Sequence, residues 1–292
     1  MIFNIRHLTA YSNESTVASA KLALRVTPRD EPGQRCTAHN LIIIPTPISV
    51  VPETDYYGNT VNVVIIDTPH KELSIEATST VEATRSAAPS IAGQAWEAVA
   101  DEALSLRGLS GAAPANFLFA SPRIALSPAV TEYVRKSFPQ GRGILDGSRD
   151  LIRRIKAEFA FEKEATEIST PLAQAFEERH GVCQDFAHIM IAGLRGLGLP
   201  AAYVSGYIRT IPPPGKKRLE GADATHAWVS VWCGSANGWV GFDPTNAIEV
   251  VNDHIVLAIG RDFSDVSPVY GVFVGSGASE LEVEVDVVPV AS

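Results

Sequence analysis

Three residues of this chain have the side chains and the predicted positions that nucleophilic catalysis requires. Residues 181–200 are apolar on most sides and predict a buried helix that begins near Cys183 and ends at Gly198. Taken alone, Cys183 would more often be a packed structural cysteine. In the first turn of a helix, however, unpaired backbone N–H groups and the positive end of the helix dipole stabilise a thiolate. Since the thiolate is the reactive form, Cys183 is the candidate nucleophile.

A predicted β-hairpin carries the histidine and the carboxylate. Residues 226–232 alternate in the manner of a strand, a turn-rich segment follows, and residues 239–243 resume a strand. With the turn centred between residues 234 and 235, His226 lies directly opposite Asp243, with Cβ atoms about 4.5–5.5 Å apart. The aspartate would fix the tautomer of His226 and leave its other ring nitrogen for a nucleophile. The alternative is a surface histidine with an incidental aspartate neighbour, and the helix cysteine favours the catalytic interpretation.

The remaining cysteines and the basic segment do not add a second functional site. Three cysteines cannot all pair within one chain, so free thiols are expected, and Cys36 and Cys233 are interpreted as small buried residues. His180 and Cys183 have a spacing found among zinc ligands, but no second Cys/His pair at zinc-site spacing accompanies them. We therefore expect no metal and no cofactor. Residues 209–218 are basic and proline-rich, and they predict a solvated loop or, alternatively, a lid that attracts acidic substrates.

The chain divides into a strand-rich part and a mixed part. Short strand-like runs separated by proline and glycine extend from residue 18 to residue 83. A small, proline-containing stretch at 87–90 follows, and helical periodicity replaces the alternation after it. We therefore predict an N-terminal all-β, sandwich-like domain at 1–88 and a catalytic core at 89–292. The core is expected to be α+β, with helices first and strands at its C-terminal end.

The overall composition excludes several classes of protein. Hydrophobic residues make up 46% and charged residues 20% of the 292 residues, which fits a soluble globular protein and neither a fibrous nor a disordered one. A formal charge of -9 and a pI of about 5.3 argue against a nucleic-acid partner, since such proteins present a basic face. No apolar run reaches the roughly 18 residues of a membrane span, and the N-terminus lacks the order of a signal peptide. We therefore expect a cytoplasmic protein without a membrane partner.

Four ordered motifs resemble the bacterial transglutaminase-like family. They are GVCQDFAH at residues 181–188, GLPAAYVSGY at 198–207, THAWV at 225–229 and GWVGFDPTN at 238–246. The resemblance extends to His254-Ile255, to GRDFSDVSP at 260–268 and to the N-terminal β region.

This resemblance implies a papain-like transglutaminase core in which Cys183 is the nucleophile, His226 the general acid and base, and Asp243 the orienting carboxylate. It also implies an oxyanion hole that uses the backbone N–H of Cys183 and a second donor. The sequence does not place that second donor, and Gln184, which follows the cysteine, is the adjacent candidate.

The resemblance leaves the reaction open, because related cores hydrolyse peptides, remove sugars from asparagine or cross-link glutamine to amines. We expect attack on a peptide or carboxamide carbonyl through a thioester on Cys183, with a peptide or protein substrate and hydrolysis as the outcome. The alternatives are protein-glutamine transamidation and a non-catalytic binding module, and the intact triad disfavours the second. Because the carboxylate orients rather than reacts, Asp243→Asn is expected to cost less activity than Cys183→Ala or His226→Ala.

Overall fold

The N-terminal part of the chain is built from six strands. The structure is a computed structural model that describes residues 1–86, 93–162, 170–210 and 224–290. The six strands are β1 (Ile2–Val17), β2 (Ser19–Leu24), β3 (Gln34–Ile44), β4 (Ser49–Thr54), β5 (Thr60–Ile66) and β6 (His70–Ala83). The long β1 escaped the sequence analysis because its inward positions include the polar His7 and Thr9 after Phe3 and Ile5, so its apolar alternation stops early.

Helices come next, and strands then dominate to the end of the chain. The helices are α1 (Trp96–Ser105), a 3-10 helix (Pro114–Phe117), α2 (Pro128–Arg135), α3 (Ile144–Glu158), α4 (Leu172–Glu178), α5 (Cys183–Gly196) and α6 (Phe263–Val266). The strands are β7 (Ala160–Phe161), β8 (His180–Gly181), β9 (Ala201–Ile208), β10 (Ala224–Trp232), β11 (Trp239–Asp243), β12 (Ile248–Glu249), β13 (His254–Gly260), β14 (Val269–Val274) and β15 (Ser279–Pro289). This order confirms the predicted α+β class. None of the helices in the described ranges is long and apolar enough to cross a membrane.

Two four-stranded sheets form the β-sandwich. Their strand orders are β15-β1-β6-β3 and β14-β2-β5-β4, and every neighbouring pair is antiparallel. One apolar cluster joins the inner faces of both sheets. It contains Ala20, Leu22, Leu24, Val26, Ile43, Val64, Ile66, Leu73, Ile75 and Ala77. Packing of two inner faces around a shared core is the expected architecture of a sandwich.

The last two strands belong to this sandwich rather than to the core with which the sequence analysis grouped them. Strand β15 pairs with β1 from Pro289 opposite Phe3 to Ser279 opposite Asn13, and β14 pairs with β2. Alternation along β15 predicts a strand but contains no information about which strand it pairs with. Its partner β1 is distant in the chain, since the contacting residues Arg6 and Glu284 are 278 positions apart. The proposed boundary at 88 and 89 lies outside the described residues and stays a prediction.

The core consists of a five-stranded antiparallel sheet with helix α5 packed on one face. The strand order is β12-β11-β10-β9-β13. Ala187 and Ile191 of α5 share one apolar cluster with Ala227, Val229 and Val231 of β10. The helix is therefore buried on most sides, as its composition predicts, and its N-terminus is held beside the sheet.

Side-chain amides from the sandwich cover the outer edge of the core sheet. Gln34 accepts from the backbone N–H of Val256 (2.8 Å) and donates to its carbonyl (2.9 Å). Asn59 makes the same two contacts with Ile259, at 2.8 and 2.9 Å. The two amides thus replace part of a missing neighbouring strand, since a β-edge with unpaired backbone groups is otherwise costly or prone to association. We call Gln34 and Asn59 the amide clamps of β13.

Candidate active site

The N-terminus of α5 positions the candidate nucleophile. Cys183 is the first helical residue, and its side chain is only partly buried. Asp185 accepts from the backbone N–H of Val182 at 2.9 Å, which fixes the entry of the chain into the helix. A Cβ at Gly181, where φ is +157°, would lie 2.7 Å from a carboxylate oxygen of Asp185, so this turn requires glycine. The backbone N–H of Cys183 lies at the very start of the helix, where the helix itself offers it no acceptor, so it can donate to an anion.

The hairpin brings His226 and Asp243 together, although not in the predicted register. Val229 lies opposite Phe242 and Trp232 opposite Trp239, so Asp243 falls opposite Trp228 rather than His226. The prediction of directly opposed residues was therefore wrong by two positions, because the loop is centred one residue later than its turn-type residues suggested. A shift of two keeps every side chain on the same face. His226 and Asp243 consequently meet as diagonal neighbours, within reach of long side chains.

Asp243 is fully buried and accepts five hydrogen bonds. Its Oδ1 accepts from the backbone N–H groups of Thr245 (2.9 Å) and Asn246 (3.1 Å). Its Oδ2 accepts from His226 Nε2 (2.8 Å), Asn246 Nδ2 (2.8 Å) and His254 Nε2 (3.2 Å). Burial would raise the pKa of Asp243, but these donors, with His226 and His254 foremost, hold it well below its usual value. The carboxylate is therefore ionised and fixed in place.

His226 joins the carboxylate to the thiol. Burial would lower the pKa of His226, but hydrogen bonds to Asp243 and to Cys183, together with their charges, raise it to about 10. With Nε2 donating to Asp243, the nitrogen left for the thiol is Nδ1. Trp228 packs against the histidine, with ring centroids 6.0 Å apart, and reaches across Gly206, where a Cβ would lie 2.5 Å from the indole. The three predicted triad residues thus come together, and this arrangement favours the imidazolium form of His226.

The other candidate residues have separate positions. Gln184 stands in the first turn of α5 and lines a cavity of about 330 Å3 together with Arg123, Ser127 and His188. Cys36 and Cys233 form no disulfide, and burial raises the pKa of both thiols, that of Cys233 to about 12. The basic segment of residues 212–218 lies outside the described residues. The second oxyanion-hole donor has no assignment.

Two residues of the site were not identified from the sequence. Asn246 follows the hairpin and donates to Asp243, and His254 reaches the same carboxylate oxygen from β13. His254 was noted only as part of a motif, since its contact depends on the pairing of β13 with β9 across the sheet. The ligand-type atoms of His226, Asp243 and His254 lie within 4.8 Å of one another, as in sites that hold a metal. Separations of 2.8 and 3.2 Å to one oxygen are hydrogen-bond distances, so we assign the cluster to a hydrogen-bond network and not to metal ligation.

Comparison with family models matches two segments of the chain. Residues 3–82 match the bacterial transglutaminase-like N-terminal region, and residues 133–244 match the transglutaminase-like superfamily. The second segment contains Cys183, His226 and Asp243. The first ends just before the last residue of β6.

Similar proteins come from several bacteria. An uncharacterized protein of Mycobacterium tuberculosis H37Rv is 39% identical over 297 residues, covering 98% of this chain and 92% of that protein. A Pseudomonas aeruginosa protein named protein-glutamine gamma-glutamyltransferase is 30% identical over 122 residues, covering 37% of this chain and 18% of that protein. A crystal structure described as a "Putative Cysteine Protease from Cytophaga hutchinsonii" superposes with a TM-score of 0.75 at 21% identity, covering 100% of this chain and 92% of the other. At that identity the superposition establishes the fold alone.

Proposed function

This chain belongs to the transglutaminase-like superfamily, and we propose that Cys183, His226 and Asp243 form the catalytic triad of an enzyme that attacks amide carbonyls. One observation supports the proposal above all others. A single imidazole, that of His226, bonds through Nε2 to a buried carboxylate and is also hydrogen-bonded to a cysteine at a helix N-terminus. That combination supplies a thiolate, a proton donor next to it and a fixed charge that holds the donor in orientation.

The first half of the proposed reaction forms a thioester. The thiolate of Cys183 attacks the carbonyl carbon of a peptide or carboxamide, a C–S bond forms, and the carbonyl oxygen takes up the negative charge. The backbone N–H of Cys183 stabilises this oxyanion. His226 then gives the proton on Nδ1 to the amide nitrogen, the C–N bond breaks, and an amine or ammonia leaves.

The second half transfers the acyl group, and we propose water as the main acceptor. Neutral His226 takes a proton from water as the oxygen attacks the thioester, which releases a carboxylic acid and restores the thiolate and imidazolium. An enzyme built for transfer to amines needs a second apolar channel that excludes water and delivers an unprotonated amine. The sequence has no mark of such a channel.

Transamidation is the second candidate, since the Pseudomonas relative carries a transferase name. Both reactions share the thioester, so only the acceptor separates them. Product analysis with a thioester formed on Cys183 and a millimolar lysine analogue decides between the two. Hydrolysis predicts mainly free acid, and mainly isopeptide or secondary amide would replace the hydrolase proposal by the transferase one.

Trapping of the acyl-enzyme tests the shared step. The protein is incubated with a library of peptides and simple carboxamides, quenched with acid and examined by intact-mass and peptide mass spectrometry. We expect an acyl adduct on Cys183 that persists in Cys233→Ser and disappears in Cys183→Ala. If no library member acylates Cys183, or if the adduct lies on another residue, the proposed nucleophile is wrong.

A further inference from the structure

His254 has a buried ring with one nitrogen engaged and the other unpaired. The residue is fully buried at the start of β13, and its Nε2 lies 3.2 Å from Oδ2 of Asp243. Its Nδ1 has no hydrogen-bond partner among the described residues. Its backbone is held independently, because its carbonyl accepts from Arg85 at 2.6 Å. The ring also packs edge-on against Trp228, with centroids 5.1 Å apart.

These contacts determine the protonation of the ring. A lone pair on Nε2 would face an ionised carboxylate oxygen, so Nε2 must bear a proton and donate it. A second proton on Nδ1 would create a buried, charged donor without an acceptor, which is costly. His254 therefore donates from Nε2, and the positive end of this N–H dipole points at the oxygen that His226 also uses.

We propose that His254 is a positioning residue of the triad that acts through Asp243, fixing Oδ2 and moderating the negative charge that Oδ2 presents to His226. This inference rests on the proposed function only in its consequence for turnover, because the geometry itself involves no substrate. His226 and His254 approach one oxygen from different strands, β10 and β13, and their ring centroids are 6.0 Å apart. Asn246 provides a third donor to that oxygen, so its position is defined from three sides.

Because His226 and His254 contact the same carboxylate oxygen, removal of His254 should shift the pKa of His226 in one defined direction. Within the described ranges, the charged or titratable groups that face His226 are Asp243 on β11, Cys183 on α5 and His254 on β13. Removal of the His254 N–H dipole leaves more negative charge on Oδ2, which favours the imidazolium form of His226. A more stable imidazolium is a weaker acid toward the leaving amine, and a less constrained carboxylate orients the ring less well.

The test compares His254→Phe, which keeps a ring without a donor, with His254→Gln, whose Nε2 reaches about the same place as that of histidine. The readout is the pH midpoint at which His226 loses its proton, followed by NMR on protein labelled with 15N-histidine. We expect the midpoint to rise by about half a unit in His254→Phe and to stay within about 0.2 unit of wild type in His254→Gln. On an amide substrate, kcat/KM should fall about tenfold in the first variant and be largely restored in the second.

His7→Phe is the matched control, because His7 is equally a buried histidine, bonded to Tyr207 at 2.7 Å, and makes no contact with Asp243. A purely structural role for His254 would lower activity only in proportion to the folded fraction and leave the midpoint of His226 in place. An unchanged or lowered midpoint in folded His254→Phe therefore overturns the proposal. Because the midpoint is measured without substrate, a rise combined with no turnover on any amide would support this inference and count against the proposed function alone.

Discussion

Replacement of Asp243 by asparagine should disable the site, because five donors converge on the two oxygens of this carboxylate. Oδ1 accepts from the backbone N–H groups of Thr245 and Asn246, and Oδ2 accepts from three side chains. An asparagine has one oxygen and one NH2 group. Either orientation therefore places an NH2 group against N–H donors, and no rotation of the side chain satisfies both sides.

The geometry predicts which orientation the asparagine takes and how much it costs. The two backbone donors are fixed in the turn after β11, so the oxygen stays with them and the NH2 group faces His226. The imidazole then relieves the clash by moving its proton to Nδ1, so that Nε2 accepts. A proton on Nδ1 points at Cys183 and prevents His226 from taking the thiol proton. By this tautomer argument kcat/KM should fall on the order of 10⁴-fold. Loss of the buried charge pair and at least one unpaired donor should lower the free energy of unfolding by about 2–4 kcal/mol.

This result would differ from the expectation based on sequence, in which asparagine loses less activity because the carboxylate only orients. Steady-state kinetics on the amide found by acyl trapping and urea denaturation provide the two measurements. Asp262→Asn is the matched control, since Asp262 is also fully buried and accepts from the backbone of Arg123 and Ser264, away from the triad. It should lose stability while its folded fraction remains active. Retention of more than about a tenth of wild-type kcat/KM by Asp243→Asn would refute the tautomer argument.

Three further outcomes follow from the same contacts. Iodoacetamide below about pH 7 should label Cys183 first in the folded protein, because burial raises the pKa of the other two thiols, and equal labelling by mass spectrometry would contradict this. The raised pKa of His226 contributes stability that is complete below about pH 6.5 and is lost as the pH rises through about 10. The free energy of unfolding, measured by urea denaturation, should therefore fall by a few kcal/mol over that pH range in wild type. In His226→Gln it should change less with pH. Gln34→Leu leaves the N–H of Val256 without its acceptor and should lower the free energy of unfolding by about 2 kcal/mol. The control Gln140→Leu, at an exposed position, should leave it almost unchanged. Equal urea midpoints for the two variants would mean that the contact of Gln34 with β13 does not stabilise the fold.

The triad was accessible to sequence analysis because each of its members is defined by local periodicity. The apolar pattern around Cys183 sets both the helix and its first turn, and the period of two along the hairpin sets the face on which His226 and Asp243 lie. An error of two positions in the register changed which residues are opposite each other but not which face they share. An error of one position would have separated the histidine from the carboxylate.

The contacts that sequence analysis missed are those between strands distant in the chain. His254 meets Asp243 only because β13 pairs with β9, β9 pairs with β10, and β10 pairs with β11, so that two strands lie between the strands that carry the two residues. Strand β1 was not recognised because its buried positions include the polar His7 and Thr9. The alternation along β15 predicted a strand but not its pairing with β1. None of these pairings follows from turn length or from periodicity within one element, because each is decided by tertiary packing.

The position of β13 connects the sandwich with the chemistry of the core. As the last strand of the core sheet, β13 would expose the backbone groups of Val256 and Ile259 on its outer side, and the amide clamps occupy them. At the start of the same strand, Arg85 bonds to the carbonyl of His254, whose ring touches Asp243. A strand held on one side only by β9 would be free to shift outward, and a shift of well under 1 Å would break a 3.2 Å contact. Gln34, Asn59 and Arg85 of the N-terminal part therefore hold in place the strand that carries His254.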